Sequence, residues 1–464
     1  MKVKETLSKI NLPARASMAY LGASLIGKFI GIMTTPFFTR MIGQEEYGEL
    51  TLYLTILGGA SIVCSAFSSS SAVYRGFRLY EDRKSDFIKS SITVSLSFSL
   101  IVCTLLFTLS SFLELKSSLY LPLSLQIICD TIVGFSLAKA RYQYRYGQVM
   151  AINLLTSALP ALISLILLSK FSFGFSVRIF SMLFLSILIA GLQLFRLLKA
   201  NGRIKTDIIK NVIKSSLPLL PHSISIATIG QVDKLFITSL MGAAALASYS
   251  VAHSLGISLQ FLVTTLGSAI APWLIRRMDE RNYSKIGDVI STVFSLFCAT
   301  VIALCVISPE IMSILAPREY FSSLPAIIPI ALSVPLNFIS YIASVGLVQI
   351  GKGKHTAISS LMSLIASVIM SYLLTPSFGY FGAGLAILLS QAVSSFLGVI
   401  FLFRITEESF IPIKKICIIY FVCALICFTI MPFYSFLYIR ILILIIPAVL
   451  GLNSLLHSKQ LITE

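Results

Sequence analysis

Charged side chains are scarce. They make up 12% of the 464 residues, against 56% hydrophobic. Soluble proteins carry about 25% charged residues, and no water-soluble fold of this length could hide so much apolar surface. Several chemical signatures are missing too. No GxxxxGK followed by Ser or Thr is present, which argues against direct ATP drive. No HExxH occurs, and no GxSxG in a loop setting, so peptidase and hydrolase chemistry has no anchor. The four histidines, His222, His253, His355 and His457, stand far apart and indicate no metal site. The eight cysteines (Cys64, Cys103, Cys129, Cys298, Cys305, Cys417, Cys423 and Cys427) show no CxxC spacing and all lie in apolar stretches. They read as free core thiols. A cleaved leader is also not indicated. The first 16 residues are basic and polar, and the apolar stretch after them is too long for a signal core. They read as a retained cytoplasmic tail. No cofactor and no catalysis are expected.

What the chain does have is long apolar runs. A helix crossing a bilayer needs about 20 mostly apolar residues. Fourteen such spans are read at 17–39, 47–69, 90–113, 118–138, 148–169, 177–198, 212–235, 243–273, 287–308, 322–350, 355–374, 380–403, 412–431 and 434–456. The runs are continuous rather than alternating, which favours helices over barrel strands. The formal net charge is +17. That could suggest nucleic acid, but the basic residues sit between apolar segments and form no basic domain.

Their placement orients the chain. Numbering the connections alternately from the N-terminus puts 28 of the 36 Lys and Arg on one side and seven on the other, with Lys28 inside a span. The positive-inside rule makes the rich side cytoplasmic, with both termini there. A wrong span count would scramble the alternation from the error onward, yet it holds to the end.

An internal repeat is anchored in the loops. Thr39-Arg40-Met41-Ile42-Gly43 corresponds to Thr238-Ser239-Leu240-Met241-Gly242, 199 positions on. Gln143, Gly147, Ala151 and Ile152 correspond to Gln349, Gly353, Ala357 and Ile358, at an offset of 206. Ser172-Phe173-Gly174-Phe175 corresponds to Ser377-Phe378-Gly379-Tyr380, at 205. The expected fold is an all-α polytopic membrane protein of about 14 transmembrane helices. Two six-helix lobes repeat in parallel topology, and two C-terminal helices follow. Residues 1–198 form the first lobe, 199–211 a polar, basic cytoplasmic linker, 212–405 the second lobe, and 406–464 the last two helices and tail. Parallel repeats are one plan used by secondary transporters.

A few residues stand out. Lys28, mid-span and flanked by Gly27 and Gly31, reads either as a cavity-facing cation or as a snorkelling lysine on a packed helix. Asp130, near the middle of span four, is a candidate proton or cation site, or the partner of a basic residue such as Lys28. Asp233 and Lys234 are expected near the outer end of span seven, close to water and headgroups. His222 and His253 are titratable candidates, or packing residues. Arg75 and Arg78, at the cytoplasmic face, could meet phosphate or serve only as topology signals. Pro218, Pro221, Pro325, Pro329 and Pro335 mark bendable helices.

The run Pro36-Phe37-Phe38-Thr39-Arg40-Met41-Ile42-Gly43-Gln44-Glu45-Glu46-Tyr47-Gly48 resembles the start of bacterial O-antigen and polysaccharide-exporting flippases, in the multidrug/oligosaccharidyl-lipid/polysaccharide transporter superfamily. The resemblance extends through the two lobes, the linker and the Gln349–Lys354 turn. It implies a transporter in the bacterial inner membrane, with an undecaprenyl-pyrophosphate-linked oligosaccharide as substrate and a proton or sodium counter-ion. A polysaccharide polymerase and a chain-length regulator are implied partners. Lys28, Arg40, Arg75, Arg78 and Lys234 then become candidate pyrophosphate-facing cations. Asp130, Asp233, His222 and His253 become candidate coupling groups. A lipid-linked peptidoglycan precursor flippase and a drug exporter share the superfamily. A membrane glycan polymerase fits less well, because the outer loops are short.

The charge alternation makes a direct prediction. Cysteines placed at Lys205 and Arg281 are shielded from a membrane-impermeant thiol reagent in intact cells, and cysteines at Glu45 and Phe378 are labelled. Labelling of the first pair from outside overturns the fourteen-span topology.

Overall fold

The structure, a computed structural model, describes residues 30–440 except 69, 110–114, 172–173, 200, 218–219, 281–282, 407–410, 435, 437 and 439. Regular structure among the described residues is entirely helical. Ten helices there are long and apolar enough to cross a membrane. The chain divides into two compact units, Met1–Gln231 and Val232–Glu464.

In the first unit, α1 covers residues 30–41. It is followed by α2 (Gln44–Cys64), α3 (Ser70–Leu79), α4 (Lys84–Thr108), α5 (Tyr120–Tyr142), α6 (Tyr146–Lys170), α7 (Ser176–Leu198), α8 (Thr206–Ser216) and α9 (Leu220–Ile229). In the second come α10 (Val232–Met241), α11 (Ala243–Gly256), α12 (Gln260–Asp279), α13 (Tyr283–Leu315), α14 (Ile327–Gln349), α15 (Gly353–Thr406) and α16 (Ile413–Ile430). Expected spans two to six are α2, α4, α5, α6 and α7, and nine, ten and thirteen are α13, α14 and α16. Much of the first span and most of the fourteenth lie outside the described residues.

Helix α15 has 54 residues, which would make a straight rod of about 80 Å, far longer than the ~30 Å hydrocarbon core. It is broken at Gly379, whose φ of 55° and ψ of −131° are non-helical. Left-handed φ suits glycine, which has no Cβ to collide. The two pieces correspond to expected spans eleven and twelve. Gly174, the repeat partner of Gly379, has φ 63° in the turn before α7. The other repeat anchors also share local positions. Gly43 precedes α2 and Gly242 precedes α11, while Gly147 and Gly353 open α6 and α15.

The seventh expected span, 212–235, is not one helix. Helix α8 ends at Ser216, α9 opens at Leu220 with Pro221 in its first turn, and the chain breaks again between Ile229 and Val232. Proline has no N–H to donate and kinks or breaks a helix in its interior, yet it is well placed in a first turn. The expected polar linker also turns out to be partly ordered. From Thr206 it is the amphipathic helix α8, with Ile208, Val212 and Ser216 buried at four-residue spacing. Its lead-in is tied to α4. The Arg203 N–H donates to Asp86 Oδ1 at 2.7 Å and the Lys205 N–H to Ser90 Oγ at 2.9 Å, while Arg83 pairs with Asp207 at 3.2 Å. Ile208 and Val212 join a core with Val73, Phe77, Phe87, Ile92, Phe135 and Leu197.

In the second unit α14 is buried nearly all round, with 15 of its 23 residues in the interior, as expected of a central helix with no polar face. It packs on α15 through small residues. Within α15 itself, Ser359, Ser363, Ser367, Ser371 and Thr375 form a buried stripe at every fourth position. Ser363 donates across the hairpin to the Ser390 carbonyl at 2.8 Å, Ser395 to the Leu336 carbonyl at 2.6 Å, and the Ser340 and Ser394 hydroxyls meet at 2.8 Å. Lipid gives helices no hydrophobic reason to associate, so close backbone approach through small residues takes over. Seven cysteines are buried free thiols, as expected, whereas Cys417 is exposed. On α6 and α7 the outward residues are Leu162, Ile166, Phe180, Phe184, Leu192 and Phe195, a surface suited to acyl chains rather than water. The protein is a multi-pass membrane protein.

The packing predicts where a methyl group is tolerated. A Cβ on Gly384 would lie 2.8 Å from Pro329 Cγ and 2.9 Å from the Ala326 carbonyl oxygen, whereas Gly191 faces open space. Gly384→Ala destabilises the protein by about 1–3 kcal/mol through overpacking, and Gly191→Ala does not. Thermal unfolding of the detergent-purified variants checks this; equal midpoints refute it.

Candidate functional site: two buried carboxylate clusters

Among the described residues, each unit has an aspartate held within its helical packing. In the first it is Asp130 on α5. Gln126, one turn earlier on the same helix face, donates from Nε2 to Asp130 Oδ1 at 3.0 Å and to Ser186 Oγ of α7 at 2.7 Å. Ser61 of α2 donates to Asp130 Oδ2 at 3.1 Å. Beside it, Ser99 of α4 meets Thr131, the next residue of α5, at 2.8 Å. Four helices therefore converge on this polar cluster. The carboxylate's described donors are neutral. Two acceptor or donor atoms nearby, Gln126 Oε1 and the Tyr53 hydroxyl, are buried with no hydrogen-bond partner. A carboxylate with such neighbours can take up a proton or a small cation, because nothing in the cluster already neutralises its charge.

In the second unit it is Asp233 on α10, only 1% exposed. That corrects the expectation of a water-exposed position near the outer end of a span: the break before Val232 starts a new helix, and Asp233 lies in its first turn, two turns short of Met241. Tyr249 of α11 donates its hydroxyl to Asp233 Oδ2 at 2.7 Å. His253, one turn further along α11, brings Nε2 to 3.8 Å of the same oxygen. Asp233 Oδ1 is buried with no hydrogen-bond partner. Lys234 is the adjacent residue, and its charge acts on Asp233. Asp233, Lys234 and His253 are thus brought together.

The other sequence candidates are placed differently. Lys28 lies outside the described residues, as do its Gly27 flank and any pairing with Asp130. His222 falls in α9, with its side chain outside the description. Arg40 is exposed at the end of α1, and its Nη1 donates to the Pro36 carbonyl at 3.0 Å. Arg75 and Arg78 are exposed on α3. Sequence reasoning missed Gln126, Ser61, Ser186, Tyr53 and Tyr249. The available signal was four-residue spacing, Gln126 to Asp130 and Tyr249 to His253. Among the described residues no group of three His, Cys, Asp or Glu could hold a metal ion.

Comparison with known proteins places this architecture in a class. The lipid II flippase MurJ in an inward closed conformation superposes with a TM-score of 0.73 at 16% identity, covering 96% of this chain and 99% of that one. An inward-facing multidrug resistance transporter of the MATE family, MOP superfamily, gives 0.62 at 14% identity, covering 82% and 95%. The fold is therefore that of MOP-superfamily transporters. A family profile described as polysaccharide biosynthesis protein matches residues 14–278, and a MatE profile matches 218–373. The chain belongs to the polysaccharide biosynthesis protein family, the polysaccharide-exporting flippase branch of that superfamily. Among its relatives, a probable low-salt glycan biosynthesis flippase of Haloferax volcanii is 22% identical over 421 residues, 86% of this chain and 84% of the relative. The Lsg locus putative protein 1 of Haemophilus influenzae is 22% identical over 277 residues, 57% of this chain and 67% of the relative.

The second cluster yields a test. Tyr249→Phe removes the hydroxyl that donates to Asp233 Oδ2 and leaves a buried acceptor short of a partner, at a cost of about 1–3 kcal/mol. Thermal unfolding in detergent should show a clear drop. An unchanged midpoint would mean that the hydrogen bond contributes nothing to the fold.

Proposed function

We propose that this protein is the flippase for an undecaprenyl-pyrophosphate-linked O-antigen or polysaccharide repeat unit, moving it from the cytoplasmic to the periplasmic leaflet of the bacterial inner membrane by alternating access. The observation that carries the reading is the family match over residues 14–278, joined to a likeness over 86% of the chain to a relative described as a probable glycan biosynthesis flippase. The protein acts as a transporter and not as an enzyme. It is multi-pass, with both termini cytoplasmic and with lobes at 1–198 and 212–405 joined by 199–211.

The physical demand is clear. A pyrophosphate crosses an apolar core with its charge intact, so cations have to replace its hydration. Lys28, Arg40, Arg75, Arg78 and Lys234 are the residues assigned to that task. A proton or sodium gradient supplies the drive in antiport, with Asp130 and Asp233 as carriers and His222 and His253 assisting. The Asp130 cluster supports this assignment, since its described donors are neutral and leave the carboxylate free to exchange an ion. A polysaccharide polymerase and a chain-length regulator receive the flipped unit.

Surface display of the glycan, in a strain lacking its own copy of the gene, tests the reading. Lys28→Arg retains substantial activity, Lys28→Gln loses most and Lys28→Glu all of it, at similar membrane abundance. The loss is large because an unpaired phosphate charge in a low-dielectric cavity costs several kcal/mol, and each 1.4 kcal/mol is about tenfold. Full display with Lys28→Gln removes Lys28 from the path. Asp130→Asn slows display and flattens its dependence on the ion gradient; unchanged gradient dependence leaves Asp130 as a structural residue only.

A further inference from the structure

A second polar site lies away from both carboxylates. Helices α5 and α7 end, and α6 begins, at the same end of the first unit, because short turns join these antiparallel neighbours. There they enclose a cavity of about 160 Å³. A space of roughly 10–15 Å³ by this measure holds one water, so the cavity has room for a group of several heavy atoms. Lys139, Arg145 and Arg196 line it, together with Gln143, Gln148 and Gln193. No carboxylate lines it, and none of the three cations is in an ion pair among the described residues.

The lining is more than a solvated basic surface. Ser136, also in the wall, is 4% exposed, and its Oγ is buried with no hydrogen-bond partner. Gln193 is 7% exposed, and its amide oxygen is met only weakly by Gln148 Nε2, at 3.4 Å. Lys139 is half-buried, close enough to Arg145 for the two charges to repel. Three like charges and an unmet hydroxyl around one space form an arrangement that an anion completes. Positive-inside topology needs basic residues near a helix end, but it does not need them to line a cavity.

The depth identifies the kind of anion. The cavity sits in the last turns of α5 and α7, where the apolar spans give out and headgroups begin. On α7, Leu192 and Phe195 point outward just before Arg196, 60% and 67% exposed. A lipid can lay its chains along those residues while its head reaches the cations. We propose that this cavity is a binding site for the phosphate group of a lipid, held by Lys139, Arg145 and Arg196 with Ser136 and the glutamines as neutral donors. Basic pockets between transmembrane helices on the cytoplasmic side suit anionic headgroups, and arginine is fitted to phosphate by its planar pair of donors. The site stands on the cavity alone and does not require the transport reading.

Two sources carry this chemistry, an anionic phospholipid and a polyprenyl pyrophosphate. Binding to the purified full-length protein in detergent, followed with fluorescent phosphatidylglycerol, phosphatidylcholine and farnesyl pyrophosphate, separates them. The protein binds phosphatidylglycerol or farnesyl pyrophosphate well above phosphatidylcholine. Lys139→Gln/Arg145→Gln/Arg196→Gln weakens that binding roughly a hundredfold, at about fivefold per cation. Should the triple variant fold poorly, Arg145→Gln/Arg196→Gln changes only exposed positions and still weakens binding by about tenfold or more. A control with the same charge change, Lys214→Gln/Lys352→Gln/Lys354→Gln, stays near wild type. Phosphatidylglycerol preferred, or farnesyl pyrophosphate preferred, each upholds the site and names its occupant. Equal losses in the pocket and control variants reduce it to general surface charge and overturn the proposal, as does unchanged binding in the pocket variants. Glycan display in the same variants reads transport separately, so a failure of one reading is distinguishable from a failure of the other.

Discussion

Hydrocarbon cannot hydrogen-bond, and that constraint organises this protein. A backbone N–H or C=O at membrane depth has to find its partner inside the chain, and the described regular structure is accordingly helical. The side chains obey the same rule. Thr131, Ser95, Ser99 and Thr156 turn back to carbonyls one turn earlier on their own helices, which lets hydroxyls sit in apolar surroundings at little cost. Where a carboxylate enters, whole helices gather around it. Asp130 draws on α2, α5 and, through Gln126, α7, and Asp233 draws on α11.

The same constraint explains the small-residue contacts. With acyl chains as apolar as leucine, α14 and α15 gain nothing from burying leucine against leucine. They gain from fit. Gly384 against Pro329 allows the approach, and the hydroxyls of Ser340, Ser394 and Ser395 add specific bonds across it. Charges follow a related logic at the ends of helices. In the first unit Lys116 pairs with Glu49 at 2.6 Å, and Glu46 accepts from the Phe175 N–H at 3.0 Å. In the second, Arg440 is only 4% exposed and is held by Glu310 at 2.6 Å.

Much of this was legible in the chain because apolar length is a strong signal. The span 118–138 lies inside α5 except for its first two residues, and 148–169 and 177–198 fall inside α6 and α7. Gly174 and Gly379 were singled out as repeat anchors and share a left-handed backbone. The seventh span was read as one helix because hydropathy averages over short breaks: the end of α8, α9 and the start of α10 sum to one apolar stretch, although Pro221 and the break before Val232 divide it. Asp233 was misplaced for the same reason. Its burial depends on Tyr249 and His253, sixteen and twenty residues onward, and only the folded chain brings them together. Gln126 was invisible for a different reason. A glutamine in a span means nothing until the carboxylate one turn later gives it a task. The basic cavity under α5, α6 and α7 was read as topology signal, since charge counting registers side and not shape.

The break at Gly379 has a consequence for biogenesis. Between Gly353 and Thr406 the only Lys and Arg are Lys354 and Arg404, one near each end, with no Asp or Glu between them. The hairpin tip therefore carries no ionised side chain, and its passage through the bilayer meets no charged barrier. The charge that can orient the hairpin lies in its two basic feet, since the positive-inside rule acts on Lys and Arg flanking a span. Gly379 decides where the chain doubles back, and it does so at the point farthest from either charge.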